Sequence, residues 1–443
     1  MLRILFILFF SFLAVTGNCQ EGFHLNENRK KIKIPFESSN NLLVVKVMLN
    51  NTPLNFILDT GVQNTILFSL EDTEKIDFKN IEKIKIKGLG SGDAIDAYKS
   101  THNKVDINGF QDLEHEVYIV LDQEINFSAQ LGVPIHGIIG YYFFKNHPIA
   151  IHPTSHKIYV YKDLGVVTRS KLKKYSVLPM SIELSKPYVD LKATIGGVES
   201  TVKMLVDTGG SDAVWLFEND SNIQCPSLFY EDFLGRGFSG DIFGKRSRIS
   251  DLKLVDIAIP TPTVSFPSAV SLQSVEMVEG RNGSIGSGIL RRFDVIYDYL
   301  NQKMYVKKNS DFDLPFNYNM SGMEIQHNGK EVIQESVYLA NLPHRDDNKG
   351  GIAINFDSST SIQYKFMLKP IFEVVNVRKN SPADKSGIMK GDLIKKINGQ
   401  PTYKFKLNEI IEIFQSEEGR ILQVEYERAG KLNKTKIQLE KIL

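Results

Sequence analysis

Two short phrases in the sequence carry the same chemistry. FILDTGVQNTIL (residues 56–67) and MLVDTGGSDAVWL (residues 204–216) each run from apolar residues into Asp-Thr-Gly and on into a second apolar stretch. One Asp-Thr-Gly is an ordinary turn former. Two copies, each behind a strand-like segment with its own tight turn, are a repeat. The preceding segments are LLVVKVMLNNTPLNFIL, turning at Asn50 to Pro53, and YVDLKATIGGVESTVKMLV, turning at Gly196-Gly197. Asp59 and Asp207 then each end a hairpin strand, and a pseudo-twofold axis can bring them face to face. Two carboxyls a few ångströms apart cannot both ionise, so one keeps a proton while the other acts as a base on a shared water.

The repeat continues in the same order. HGIIGYYFFKNHPIAIHPTSHKIYVYK (136–162) aligns with GSIGSGILRRFDVIYDYLNQKMYVKK (283–308), both an Ile-Gly pair, an aromatic segment and a closing strand. The two Asp-Thr-Gly copies lie 148 positions apart. The Ile-Gly pairs ending at Gly140 and Gly286 keep nearly that spacing. Two lobes of almost equal length follow.

At these residues the chain resembles the aspartic proteases of the pepsin and retropepsin group. There each lobe carries Asp-Thr/Ser-Gly and, later, an apolar-apolar-Gly strand behind the aspartate loop. The matching elements are Asp59-Thr60-Gly61 with Ile138-Ile139-Gly140, and Asp207-Thr208-Gly209 with Ser284-Ile285-Gly286. The resemblance spans roughly residues 31–310, as lobes over 31–165 and 175–310. It implies a mainly β, two-lobed fold of the pepsin/retropepsin-like β-barrel kind and peptide-bond hydrolysis by Asp59 and Asp207. Thr60 and Thr208 would hydrogen-bond across the axis, and Gly61 and Gly209 would let backbone N–H groups approach the carboxylates. No cofactor and no metal is called for. Gly210 and Ser284 depart from the family pattern, which has a small side chain and an apolar residue there.

Such a site needs a cover that excludes water and grips an extended peptide. KIKIKGLGSGDAIDAYKS (83–100) is two alternating segments around Gly88, Leu89, Gly90, Ser91 and Gly92, and it lies where the family's flap lies. LGRGFSGDIFG (234–244) is its counterpart in the second lobe. Either could instead be a surface hairpin. Trp215 is expected to pack behind the second aspartate loop.

From Asp311 the pattern changes. Ser-Pro-Ala (381–383), Ser386-Gly387-Ile388 and Lys390-Gly391-Asp392-Leu393-Ile394 resemble a PDZ domain, a partly open β-barrel, covering most of residues 313–443. That resemblance implies capture of a peptide or protein C-terminus, or of a peptide strand, at a sheet edge, its carboxylate received by a Gly-containing loop. Ser321, Gly322 and Met323 are the candidate loop. A long segment near 328–369, absent from PDZ domains of ordinary length, reads as an inserted hairpin.

MLRILFILFFSFLAVTG has an early Arg, a short apolar run and then small residues, the layout of a secretory signal over residues 1–19. Cleavage after Cys19 is favoured over lipid attachment to it, because Asn18 is a poor residue before a lipidated Cys. An exported chain (periplasmic, cell-envelope or secreted) with Cys225 as its sole thiol is expected. Beyond the leader no segment is apolar for long enough to span a membrane. A formal charge of +1 with no basic, aromatic-interleaved run argues against nucleic acid as a partner. His147, His152 and His156 cluster, but their spacing fits no usual metal site. No phosphate-binding loop and no serine-hydrolase elbow occurs. The expectation is an aspartic endopeptidase acting on polypeptides with a PDZ module; the alternative is an inactive peptide-binding or scaffold protein working through that module.

Overall fold

The computed structural model describes residues 21–70, 75–86, 95–120, 127–219, 222–237, 240–273, 277–338 and 362–443. The leader, the hairpin tip holding Gly88, Leu89, Gly90, Ser91 and Gly92, and residues 339–361 lie outside them.

Each aspartate is delivered by the same arrangement of strands. In the first lobe, Leu42–Leu49 and Thr52–Leu58 form an antiparallel hairpin with Leu49 opposite Thr52. Asn50 and Asn51 turn it with φ of 46° and 71°, a left-handed conformation that Asn tolerates better than most residues. Gly137–Ile139 lies parallel to Thr52–Leu58 and antiparallel to Thr65–Leu67. In the second lobe, Lys186–Ile195 and Val198–Val206 pair through Gly196 and Gly197, both at positive φ. Arg281–Ile285 lies parallel to Val198–Val206 and antiparallel to Val214–Leu216. Asp59 and Asp207 are the first residues beyond the hairpin strands, so the last ladder positions fix where each carboxylate emerges.

A six-stranded sheet joins the lobes. Its order is Ser176–Pro179, Lys303–Lys308, Phe293–Asp298, Ile149–His152, Lys157–Tyr161 and Lys31–Pro35. The seam is Ile149–His152 against Phe293–Asp298, with Ala150 opposite Ile296. These are the equivalent strands of the two lobes, and all six residues of Phe293–Asp298 are buried. One apolar core runs through the seam, from Phe23, Phe56 and Phe143 to Met204, Val264 and Phe293. Burial of this kind contributes roughly 25 cal/mol per Å² and makes the lobes one packed body.

Arg292 marks the exit from this body. It is 1% exposed. Its Nε donates to Gly288 O at 3.0 Å, Nη1 to Phe312 O at 2.9 Å and Nη2 to Pro315 O at 3.1 Å, while the Phe316 ring lies 3.7 Å away. With carbonyls rather than a carboxylate as partners, burial pushes this guanidinium down to about 10. The segment leading into the last sheet is thereby fastened to the second lobe.

That sheet runs Met323–Tyr338, Ile362–Val377, Leu393–Ile397, Ile421–Arg428 and Lys431–Gln438, with the helix Leu407–Phe414 packed by Leu407, Ile410 and Phe414. In its described part the long segment near 328–369 is a hairpin, paired from Met323 and Val377 out to Tyr338 and Ile362. Met323–Tyr338 is an edge strand. Among the described residues no helix is long and apolar enough to cross a membrane.

Candidate active site

The two Asp-Thr-Gly copies meet. Asp59 N donates to Ile139 O and Asp207 N to Ile285 O, each at 2.9 Å, so each loop is hung from the Ile-Gly strand behind it. Thr60 N donates to Thr208 Oγ1 and Thr208 N to Thr60 Oγ1, both at 3.0 Å. Each hydroxyl also donates across the axis, Thr60 Oγ1 to Val206 O at 2.6 Å and Thr208 Oγ1 to Leu58 O at 2.8 Å. Gly61 N donates to Asp59 Oδ1 at 2.6 Å, and Gly209 N and Gly210 N to Asp207 Oδ1 at 3.0 Å. A β-carbon on Gly61 would stand 2.9 Å from Asp207 Oδ1, and one on Gly209 would collide with the Asp59 carboxyl. Each glycine is therefore packed against the opposite lobe's carboxylate, and no larger residue fits.

The environments of the two carboxyls differ. Asp59 is buried and Asp207 is mostly buried at the base of the cleft. Burial, then the charge of Asp207, holds Asp59 well above the usual carboxylate range, against one backbone N–H. Burial also raises Asp207, but Arg281, the hydrogen bond with Asp59 and two backbone N–H groups oppose it. The two carboxyls interact strongly enough to titrate as a unit, and Asp207, with two backbone N–H donors against one on Asp59, is the better placed of the two to carry the negative charge.

The dyad opens into a cleft of about 1380 Å³. Leu184, Lys186, Leu205, Phe217 and Arg281 line one side of it. The lobe-two hairpin lines another with Leu234, Arg236, Ile242 and Phe243. In the first lobe the strands Glu82–Ile86 and Ile95–Ile107 form the paired arms of the expected flap, and none of their described residues lines the cleft. The cleft continues to the edge strand residues Glu324 and Gln326 and to Asn408 and Ile411 of the facing helix.

Several neighbours in the cleft were not foreseen from the sequence. Trp215 is not behind the second loop: it is half-exposed, lines the cleft, and its Nε1 donates to Asp212 Oδ2 at 2.8 Å. The indole N–H needs a polar partner, and Asp212 supplies one at the cleft wall. Arg246 bridges Asp212 at 2.9 Å and Asp232 at 2.8 Å. Arg378, the first residue past the strand Ile362–Val377, approaches Asp232 at 3.9 Å and lies over the Tyr230 ring. A line of charge thus runs from the second aspartate loop to the PDZ-like unit.

The candidate carboxylate loop is closed on itself. Asn319 Oδ1 accepts from Ser321 N at 3.0 Å and Gly322 N at 3.1 Å, and Ser321 Oγ accepts from Met323 N at 3.1 Å. Ser321 and Met323 are buried, and Gly322 has φ 78° with the Ser381 side chain where its β-carbon would be. His147, His152 and His156 have separate surroundings: His147 accepts from Leu25 N, His152 pairs with Asp294 at 3.0 Å, and His156 packs on Phe36.

Residues 45–143 match the family model of an aspartyl protease, and residues 373–428 match that of a PDZ domain. The first match contains Asp59 and Gly140. An aspartyl-protease-like domain and a PDZ domain are therefore present in this chain. No curated protein matches it.

Proposed function

We propose that the protein is an aspartic endopeptidase in which Asp59 and Asp207 form the acid–base dyad. The observation that carries this reading is the crossed packing of each Asp-Thr-Gly glycine against the other lobe's carboxyl. Asp207 as carboxylate takes a proton from a water, whose oxygen bonds to the peptide carbonyl carbon as Asp59 passes its proton to the carbonyl oxygen. From the resulting gem-diol a proton returns to the dyad, the nitrogen is protonated, and the C–N bond breaks. The cleft walls supply the water-poor surroundings that keep the dyad's affinity for its proton high.

The PDZ module, on this reading, holds a C-terminus or strand of a protein substrate at the edge strand Met323–Tyr338. The leader-like residues 1–19 support action outside the compartment of synthesis. The test is cleavage of a peptide library by wild type, Asp59→Asn and Asp207→Asn, each checked for folding by circular dichroism. Both variants are expected to lose turnover. Near-wild-type cleavage by either one would remove the dyad, and no cleavage by wild type would favour a binding protein working through its PDZ module.

A further inference from the structure

Arg281 opens the strand Arg281–Ile285, four residues ahead of the carbonyl that holds Asp207 N. Its Nε donates to Gly283 O at 3.1 Å and its guanidinium lies 5.1 Å from the centre of the Phe217 ring. These contacts fix the plane of the guanidinium and leave Nη1 and Nη2 without a hydrogen-bond partner among the described residues. No carboxylate of the described residues forms an ion pair with it. The acid whose charge bears on it is Asp207 of the dyad, with no hydrogen bond between them, and Glu183 is engaged by Lys203 at 2.9 Å and Ser181 at 2.7 Å. Arg281 faces the same cleft as the dyad, as does Lys186, which opens the strand Lys186–Ile195. Around them the wall is Leu184, Leu205 and Phe217.

A half-buried guanidinium with two unused donor groups is costly to keep desolvated, and a planar carboxylate matches its fork better than any neutral group. We propose that Arg281 is a specificity-determining residue that receives an acidic side chain of the substrate beside the scissile bond, so that the preferred substrates are polypeptides with Asp or Glu next to the cleaved peptide. The apolar wall takes the methylenes of that side chain and Lys186 adds a second positive charge to the subsite. This inference rests on the protease reading above and adds the substrate class to it.

The experiment compares matched peptides carrying Glu, Gln or Lys at each position flanking the cleaved bond, with wild type, Arg281→Gln, Arg281→Lys and Arg281→Glu. In wild type, one position is expected to favour Glu over Gln by about tenfold or more in kcat/KM, the range for a charge-assisted hydrogen bond. Arg281→Gln is expected to bring that ratio near one, Arg281→Lys to retain part of it, and Arg281→Glu to favour Lys at the same position. Because the readout is a ratio within one variant, a general fall in activity does not imitate the effect; if Arg281→Gln fails to fold, the Arg281→Lys ratio decides. Wild type without an acidic preference at any position, or variants that keep the wild-type ratio, would overturn the assignment of Arg281 and leave the dyad standing. Absence of all peptide cleavage would overturn both.

Discussion

Thr208 Oγ1 accepts the Thr60 N–H at 3.0 Å while donating to Leu58 O at 2.8 Å, and Thr60 Oγ1 makes the mirrored pair with Thr208 N and Val206 O. Both threonines are buried. Four backbone groups from two lobes are thus satisfied by two hydroxyls. Thr208→Val keeps the shape, but strands Thr60 N–H and Leu58 C=O without water to replace the hydroxyl. The expected cost is about 2–4 kcal/mol of stability, with a larger loss of turnover than of binding, because the carboxyls lose their register. Denaturant unfolding and steady-state kinetics measure the two effects. A variant as stable and as active as wild type would show that the lobe seam alone sets the dyad.

That relationship was largely legible in the sequence, because each half is local: an apolar strand, Asp-Thr-Gly and an Ile-Gly strand later in the same lobe. Burial in the parallel pairing of Gly137–Ile139 with Thr52–Leu58 demands apolar runs, and the carboxylate interrupts them visibly. Arg281, Arg246 and Asp232 were not legible. They are charged residues on strands, Arg281 at the first position of its strand, and nothing in the sequence pattern separates a solvated charge there from one turned into a cleft. Trp215 was misread for a related reason: an apolar neighbourhood on the chain does not reveal that the opposite face of a short strand meets Asp212. The hairpin of lobe two, by contrast, contributes cleft lining that its Gly-rich pattern could only suggest.

Titration of the dyad should be visible in stability. Both carboxyls are raised above their ordinary values, chiefly by burial. The folded state therefore binds more protons than the unfolded chain once pH exceeds the usual carboxylate range, so stability falls as pH rises from about 4 through the folded values. Asp59→Asn removes part of that burden. Its melting temperature is expected to exceed that of wild type at pH 7 and to approach it in acid. Thermal unfolding across pH 3–8 checks this, and a variant less stable than wild type throughout would mean that the charged pair is net stabilising.

The same groups bear on the pH dependence of activity. Many acid-active aspartic proteases, the group the chain resembles, place Ser or Thr after Asp-Thr-Gly, where a hydroxyl can donate to the carboxylate; here those positions are Val62 and Gly210. A β-carbon on Gly210 would lie 3.3 Å from Asp207 Oδ2, so a serine hydroxyl there can reach the carboxyl. Without it, one source of stabilisation for the dyad's negative charge is missing, and the upper limb of the pH profile should extend towards weakly acidic or neutral conditions. Gly210→Ser and Val62→Ser are expected to move that limb downward. A sharply acid optimum in wild type, or no movement in either variant, would assign control of the dyad's charge to the backbone donors Gly61, Gly209 and Gly210.

The PDZ loop offers a test in which a side chain competes with a ligand. Asn319 Oδ1 occupies the N–H groups of Ser321 and Gly322, and Asn319 Nδ2 donates to Met323 O at 2.9 Å and Glu324 Oε1 at 3.1 Å. Asn319 itself lines the cleft. A peptide carboxylate that uses those N–H groups must first displace the Asn319 amide, exchanging neutral hydrogen bonds for charge-assisted ones. Asn319→Ala removes the competitor and leaves the donors unpaired, so the loop loses about 1–3 kcal/mol of stability while a ligand that repairs it gains affinity. Binding of a labelled peptide with a free C-terminal carboxylate should therefore tighten several-fold in Asn319→Ala, and binding of the same peptide with an amidated end should not. Anisotropy titrations at one salt concentration measure both. Equal affinity for acid and amide in wild type and variant alike would place peptide recognition along the edge strand Met323–Tyr338 and make Ser321, Gly322 and Met323 a structural turn.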